Sequence, residues 1–268
     1  MSRQVIIHLS DLHVGQGQKE TVRVQRLFEG VSKRHPGVPV LITGDITDNA
    51  SEVEFAEAKH LFTDLARTNP ILAVPGNHDY AWKGNLMFDP DSWSKWLEYL
   101  GSPLGWEEQS GKWLERDSEP AGVDGLGIWR HNDCAFIGID SGDPDDKVIS
   151  ARGYVSDTLC RGLKGLLKAN AGKTRIVMLH HHPFTEGFFW ALKGADRFLS
   201  TVKNNCEILL FGHDHNYGIW YERGGIPLMV ASHKCTSRVS GDCLMCTVIE
   251  IHDPGTEKSL ISHRLEVV

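Results

Sequence analysis

The sequence has few cysteines, no long apolar run and no excess of basic residues, and each lack excludes a class of protein. Six cysteines in 268 residues are too few and too scattered for a disulfide scaffold. No stretch approaches the roughly 20 apolar residues of a membrane-spanning helix. With 28 Lys and Arg against 35 Asp and Glu, the net charge of −7 disfavours a broad surface for extended nucleic acid. A short anionic substrate remains compatible, because bound metal cations can supply local positive charge.

The first residues follow a strand pattern from Val5 to Leu9 and not a leader pattern. No charged segment followed by an apolar stretch and a cleavage site is present. We therefore expect a cytoplasmic protein with reduced thiols. Cys243 and Cys246 form a lone CxxC in a strand-like run, and without a second pair it predicts neither a zinc site nor a redox site.

Short apolar runs alternate with segments of helical periodicity along most of the chain. Strands are predicted at 5–9, 40–43, 71–74, 134–139, 175–179, 207–211, 226–232, 243–251 and 259–267. Helices are predicted at 21–34, 51–66 and 156–168, and a further helix follows the loop 184–190 and ends at about 202. The alternation predicts an α/β architecture. The last three strands have no helices between them, which indicates a second sheet. We expect one domain over residues 1–268, with an irregular, lid-like insertion at about 82–131.

Polar clusters follow five of the predicted strands. They are Asp11 and His13, Asp45 and Asp48, Asn77 with His78 and Asp79, the histidines 180–182, and His213 with His215. Because the carboxyl ends of strands line the crevice of an α/β sheet, these clusters are expected to meet. Imidazole, carboxylate and amide donors without thiolate favour Mn, Fe, Co, Ni or Zn over Ca or Mg. The ligands are too many for one tetrahedral ion, which indicates two metals that share a carboxylate.

Spacing and neighbours suggest how these side chains are aimed. In an extended segment residues i and i+2 point to the same side, so Asp11 and His13 are expected to converge, as are His213 and His215. Asp45 follows a buried strand and a glycine that permits close approach. A carboxylate next to a histidine, as Asp79 is to His78, can orient or charge the ring.

Five motifs in this order resemble those of the calcineurin-like metallophosphoesterase superfamily. They are Asp11-Leu12-His13, Gly44-Asp45-Ile46-Thr47-Asp48, Gly76-Asn77-His78-Asp79, His181-His182-Pro183 and Gly212-His213-Asp214-His215. Their forms are most similar to the class III cyclic nucleotide phosphodiesterase-like branch. The resemblance spans residues 5 to about 232. It implies a β-sandwich of two sheets flanked by helices on both outer faces.

The resemblance also implies a ligand set. One metal would take Asp11, His13, Asp45 and His215, and the second would take Asp45, Asn77, His181 and His213. His78 would stay unligated and face the phosphoryl group. The residues alone leave His180, His181 and His182 open as the ligand; we expect His181, because the superfamily's His-x-Pro pattern places the ligand two residues before the proline.

The expected activity is hydrolysis of a small phosphodiester, a cyclic nucleotide or similar, by a dinuclear centre. Two transition-metal ions, with Mn, Fe or Zn favoured, would hold a bridging hydroxide that attacks phosphorus. His78 and Asp79 would be the catalytic pair. The alternatives that use the same site are a phosphomonoesterase and a pyrophosphatase of nucleotide-diphosphate conjugates. A nuclease and a non-catalytic scaffold fit the sequence less well.

Overall fold

Two β-sheets lie face to face in the computed structural model of the chain. The structure describes residues 2–82, 84, 86–101, 115–116, 125–143, 151–237, 244–256 and 259–268. Its strands are β1 (Arg3–Leu9), β2 (Val40–Thr43), β3 (Ile71–Val74), β4 (Ala81–Trp82), β5 (Leu86–Phe88), β6 (Glu115–Arg116), β7 (Leu126–His131), β8 (Cys134–Ile139), β9 (Thr174–Met178), β10 (Ile208–Phe211), β11 (Gly218–Arg223), β12 (Ile226–Ala231), β13 (Met245–His252) and β14 (Leu260–Val267). Its helices are α1 (Gln18–Arg34), α2 (Glu52–Ala66), α3 (Ser92–Trp96), α4 (Asp157–Ala169) and α5 (Ala195–Val202), with a 3-10 turn at Asn77–Asp79 and a π-helical turn at Leu97–Gly101.

Each sheet combines a parallel centre with antiparallel strands. The first sheet has the order β14-β13-β1-β2-β3, in which β1, β2 and β3 are parallel. The second sheet has the order β11-β12-β10-β9-β8-β7-β6, in which β8, β9, β10 and β12 are parallel. The carboxyl ends of the parallel strands carry the polar clusters that the sequence singles out. β4 and β5 form a separate hairpin.

Alternating side chains divide the core into three layers. In β9 and just after it, Ile176 and Met178 pack between the two sheets, whereas Val177 and Leu179 face the helices on the outer side. Helices α1 and α2 cover the outer face of the first sheet, and α4 and α5 cover that of the second. The expected sandwich with helices on both outer faces is therefore confirmed.

The helices begin and end where their sequences indicate. In α1 the buried residues recur at helical spacing, and the helix ends just before Pro36. At the start of α2, Ser51 and Glu54 form a reciprocal capping box. None of the helices in the described ranges combines the length and apolar character that crossing a bilayer requires.

Most predicted elements appear within a few residues of their expected bounds, and the exceptions lie at the irregular parts. Strand β11, which pairs antiparallel with β12, is not among the predicted strands. Its residues 218–223 are half-buried or exposed, so the apolar run that identifies a buried strand is missing. The expected lid-like insertion at 82–131 falls partly outside the described residues; its described parts are the β4–β5 hairpin, α3 with the π-helical turn, and β6 and β7.

Candidate metal centre

The candidate ligands sit on strained backbone at the ends of the central strands. Asp11, His13, Asp45, His213 and His215 all have positive φ angles, between 49° and 79°. Non-glycine residues adopt this region rarely, and such strain concentrates at functional sites. Asp11 and His13 therefore do converge, but through a left-handed backbone and not through the extended segment that the spacing suggested.

The first group of donors consists of four of the predicted ligands. The ligand atoms of Asp11, His13, Asp45 and His215 lie within 4.8 Å of one another. Nε2 of His215 lies 3.3 Å from Oδ1 of Asp11 and 3.2 Å from Nε2 of His13. This is the set that the family resemblance assigns to one metal.

The second group lies on the other side of Asp45. Oδ1 of Asn77 is 3.1 Å from Nε2 of His180 and 3.0 Å from Nδ1 of His213, and these two nitrogens are 3.2 Å apart. The amide of Asn77 is oriented by Gly84, whose carbonyl accepts a hydrogen bond from Nδ2 at 2.9 Å. A Cβ on Gly84 would lie 2.4 Å from that same Nδ2, so only glycine fits.

Asp45 joins the two groups through its two oxygens. Oδ1 lies 3.3 Å from Nε2 of His180, and Oδ2 lies 3.8 Å from Nε2 of His13. Oδ1 also accepts a hydrogen bond from the amide of His78 at 2.9 Å. Gly44 before it has a φ of 84°, and a Cβ there would lie 2.6 Å from the ring of His180. The bare backbone at Gly44 thus lets the second sheet approach Asp45.

The three consecutive histidines point to three different places. His180 joins Asp45 and Asn77, and its Nδ1 donates to the carbonyl of Thr43 at 2.7 Å. His181 is also fully buried, but its Nδ1 contacts Oγ of Ser141 at 2.9 Å. His182 packs edge-on against Phe211, with ring centroids 4.7 Å apart.

The structure thus brings His180, and not the expected His181, into the second group. The reason is the alternation of β9. Met178 faces the space between the sheets and Leu179 faces outward, so His180 again points toward the first sheet. The carbonyl of His180 accepts a hydrogen bond from the amide of Gly212, which continues the pairing of β9 with β10 beyond the end of β9.

Asp79 does not orient His78 as the sequence suggested. Its carboxylate accepts hydrogen bonds from the amides of Gly76, Ile46 and Thr47 and from the Thr47 hydroxyl, at 2.8 to 3.2 Å. Neighbours in a 3-10 turn project about 120° apart, so adjacent side chains diverge. Burial raises the pKa of Asp79 to about 6, and the charge of Asp45 adds to that. Asp79 therefore ties together the two loops that carry Asp45 and Asn77.

Asp48 takes the orienting role. Its backbone carbonyl accepts a hydrogen bond from Nδ1 of His78 at 2.8 Å, and its Oδ1 lies 3.3 Å from Nδ1 of His13. The ligand atoms of Asp48 and these two rings also lie within 4.8 Å of one another. Because Nδ1 of each ring faces Asp48, each Nε2 is left for the centre or its substrate.

The electrostatics of the centre suit metal cations. Burial opposes charge on Asp45, yet His180 holds the pKa of Asp45 well below its usual range. Against burial, Asp45 in turn raises the pKa of His180 to about 9. Buried carboxylates such as Asp11 and Asp45 need a counter-charge. The Nε2 atoms of His13 and His215 face each other and share at most one proton, so at least one of them has a lone pair for a metal cation. Oxygen and nitrogen donors in this arrangement fit metal cations.

The centre opens into a cleft of about 390 Å³. It is lined by Asp45, Asn77, His78, Trp190, His213, Asp214, His215 and Asn216. Among these described lining residues, Lys and Arg are absent. Sequence reasoning did not single out Gly84, Ser141 or Asp214. Gly84 and Ser141 act through contacts across the fold, for which the sequence holds no local signal.

A comparison with protein families assigns this chain to one of them. The model of the calcineurin-like phosphoesterase family matches residues 5–217. A probable cyclic nucleotide phosphodiesterase from Colwellia psychrerythraea (strain 34H) is 24% identical over 181 residues, which cover 66% of this chain and 55% of the relative. The chain thus spans about half the length of the curated relative that it matches.

Solved structures share the fold at low identity. GAP50, the anchor in the inner membrane complex of Plasmodium, superposes with a TM-score of 0.61 at 14% identity, covering 100% of this chain and 85% of that one. The calcineurin-like phosphoesterase YfkN from Bacillus subtilis gives 0.55 at 13% identity, covering 98% and 90%. The NAD nucleotidase from Haemophilus influenzae gives 0.54 at 12% identity, covering 100% and 56%. At these identities the likeness shows the fold alone.

Proposed function

This chain belongs to the calcineurin-like phosphoesterase family, and we propose that it is a two-metal hydrolase of small phosphodiesters, cyclic nucleotides or similar compounds. The observation that carries the proposal is the position of Asp45, with one oxygen toward each group of donors. One ion would be held by Asp11, His13, Asp45 and His215. The other would be held by Asp45, Asn77, His180 and His213, so we replace the expected His181 by His180.

Metal ions at this site would polarise the phosphoryl group and make a water molecule a better nucleophile at neutral pH. The residues of the chain fix the geometry for that chemistry. Asp48 faces Nδ1 of His13 and accepts a hydrogen bond from Nδ1 of His78, so the imidazolium form of His78 can donate its second proton, on Nε2, to the leaving oxygen. Asp79 keeps the loops of Asp45 and Asn77 at a fixed separation.

The charge of the cleft favours a diester over a monoester. A diester carries one negative charge at neutral pH, whereas a monoester or a diphosphate conjugate carries more. The described lining residues offer no Lys or Arg to balance the additional charge, and Asp214 adds a carboxylate. The similarity to a probable cyclic nucleotide phosphodiesterase supports the same substrate class.

Two further expectations belong to the proposal. The partner is a small phosphoester and not extended nucleic acid, in keeping with the net charge of −7. The location is cytoplasmic, supported by five buried cysteines that are free thiols: Cys134, Cys160, Cys206, Cys235 and Cys246.

Kinetics with two aryl phosphates test the activity. Protein loaded with Mn is assayed on bis(p-nitrophenyl) phosphate and on p-nitrophenyl phosphate, with metal-stripped protein as the control. We expect a higher kcat/KM for the diester and loss of both activities without metal. A higher kcat/KM for the monoester would support the alternative, a phosphomonoesterase. Bound metal without either activity would indicate the non-catalytic scaffold. If the diester is hydrolysed, a screen of cyclic nucleotides then defines the substrate.

A further inference from the structure

The aromatic loop, residues 184–190, presents its rings in two different ways. Phe184 packs beside Phe211 and Trp220, with ring centroids 6.3 and 6.0 Å away. Trp190 is half-exposed and lines the metal-centre cleft. Its indole lies 6.0 Å from the ring of His213, at an interplanar angle of 53°. The sequence does not distinguish these two aromatic residues, whereas the structure gives only Phe184 a place in the core.

The backbone of the aromatic loop is fastened on both sides, so Trp190 has a defined position. At one end the hydroxyl of Thr185 donates to the carboxylate of Asp214, which lies between the ligand candidates of the second sheet. At the other end the carbonyl of Phe189 accepts a hydrogen bond from the amide of Ala151 at 3.0 Å. The amide of Trp190 itself donates to the carbonyl of Gly187 at 3.3 Å.

The exposure of this indole is not explained by packing. A half-exposed tryptophan gains only part of the stabilisation that a buried one supplies. Trp190 is also the only aromatic carbocycle among the described residues that line the cleft, where the other side chains are polar. A flat apolar surface next to a phosphoryl-binding site is suited to stacking on a planar group of the substrate.

The two ends of the cleft assign different parts of a diester. The ring of His78 lies against that of His13, with centroids 4.5 Å apart, whereas Trp190 lies against His213. If His78 protonates the leaving oxygen, the group beside Trp190 is the one that stays on phosphorus. We propose that Trp190 is a specificity-determining residue that stacks on a planar organic group, such as a nucleobase, retained on the phosphorus of the substrate. This inference rests on the proposed diesterase function.

Two diesters with the same leaving group separate stacking from chemistry. Thymidine 5′-(p-nitrophenyl phosphate) retains a nucleoside after cleavage, and methyl p-nitrophenyl phosphate retains a methyl group. In Trp190→Ala, we expect kcat/KM for the thymidine ester to fall about tenfold, or about 1.4 kcal/mol. The methyl ester should change by less than about twofold. Trp190→Phe should recover most of the loss.

Phe189→Ala is the matched control. Phe189 is similarly exposed in the same loop but does not line the cleft, and its carbonyl hydrogen bond is retained by alanine. The Phe189→Ala substitution should leave kcat/KM for both esters unchanged. Equal losses on both esters in Trp190→Ala, or no loss on either, would overturn the inference.

A binding measurement distinguishes failure of this inference from failure of the proposed function. Calorimetric titration of the Mn-loaded protein with thymidine 5′-monophosphate and with methyl phosphate needs no turnover. We expect Trp190→Ala to lower the affinity for the nucleotide about tenfold and to leave that for methyl phosphate unchanged. If the protein hydrolyses neither diester but shows this difference, the diesterase proposal fails and the stacking role stands. If it hydrolyses both and shows no difference, the reverse holds.

Discussion

The two sheets contribute different chemistry to the centre. Loops of the first sheet carry Asp11, His13, Asp45 and Asn77, and loops of the second carry His180, His213 and His215. Among these candidate ligands, the first side therefore supplies both carboxylates and every oxygen donor, whereas the second supplies only imidazoles. The shared carboxylate, Asp45, belongs to the first side. Loss of a residue there should disturb more of the centre than loss of one histidine across the cleft.

The two sides are also held differently. On the first side the parallel pairing of β1 and β2 continues into the loops, where the amides of Asp11, His13 and Val14 donate to carbonyls of residues 44–46 at 2.8 to 3.0 Å. On the second side, the His215 side chain is 43% exposed. The first side is thus a prearranged platform, and the second side completes the coordination over it.

The largest effect is expected for Asp45→Asn. The variant removes the charge that lies between the two groups, so both ions should be lost. Activity should fall by more than about 10³-fold, beyond the roughly 10- to 100-fold typical when an outer hydrogen-bond partner of a ligand is removed. Elemental analysis after gel filtration measures the metal content, and the diester assay measures the activity.

Asp11→Asn is the comparison for this prediction, because Asp11 belongs to one group only. It should lose mainly one ion. Retention of both ions in Asp45→Asn would show that the two groups of donors do not depend on this shared carboxylate.

On the second side, His180→Ala should lower the metal content from about two ions to about one and reduce activity by about 10³-fold. The neighbouring variant His181→Ala is the matched control. His181 is equally buried but contacts Ser141, so its loss should affect stability more than metal content. Metal loss in His181→Ala with retention in His180→Ala would return the assignment to the residue that the motif suggested.

The histidine run shows which part of the centre can be predicted from the sequence and which part cannot. The motif order and the apolar runs predict the sandwich, which the structure confirms, and they predict most of the side chains that the structure brings together, because strand ends and their polar clusters are local features. The family resemblance places the ligand two residues before Pro183, which gives His181. Counting forward from Ile176 and Met178, which face the space between the sheets, gives His180. The direction in which Ile176 and Met178 point depends on how the two sheets pack, which the sequence does not display.

Two further differences from the sequence predictions, the contacts of Asp79 and the presence of β11, have other physical reasons. Adjacency to His78 suggested a contact, but a 3-10 turn separates the directions of neighbouring side chains, which a sequence does not display. Strand β11 lies at the edge of the second sheet, where exposure removes the apolar signal. Contacts such as that of Gly84 with Asn77 depend on the folded loops alone.

His78→Asn should separate catalysis from metal binding on the first side. His78 contacts Asp48 and Asp45 through Nδ1 and the backbone amide, and the amide contact survives in the variant. Both ions should stay bound while kcat falls by about 10²-fold or more, as expected for loss of a general acid. The decrease in kcat should be smaller for a substrate whose leaving group needs no proton, such as a p-nitrophenyl ester, than for an alkyl ester. Metal loss in this variant would make His78 a ligand.

A smaller effect is expected for Asp48→Asn, which weakens the support of His13. The amide cannot provide the negative charge that Oδ1 places 3.3 Å from Nδ1 of His13. Metal affinity should fall roughly 10- to 100-fold, and the loss should concern the ion on the His13 side. Competition with a fluorescent chelator measures it. An equal decrease in the affinity for both ions would mean that Asp48 acts on the whole loop that follows β2.

The smallest effect concerns a buried histidine beneath the first side. His8 in β1 is fully buried, and its Nε2 lies 2.9 Å from the hydroxyl of Thr43. Burial lowers the pKa of His8 from 6.5 to about 3. Between these values the unfolded chain binds a proton that the folded protein excludes, so stability is lost as the pH falls below 6.5. From pH 7.5 to 5.5 this residue should cost about 1.4 kcal/mol of unfolding free energy.

His8→Gln tests this, because glutamine can still bond to Thr43 but does not titrate. Urea unfolding in the presence of EDTA, at pH 7.5 and 5.5, gives the pH dependence of each protein. The decrease between the two pH values should be smaller in His8→Gln than in the natural sequence by about 1.4 kcal/mol, whatever the variant's stability at pH 7.5. An identical decrease in both proteins would mean that His8 becomes protonated without unfolding. The rigid platform inferred for the first side would then be open to solvent.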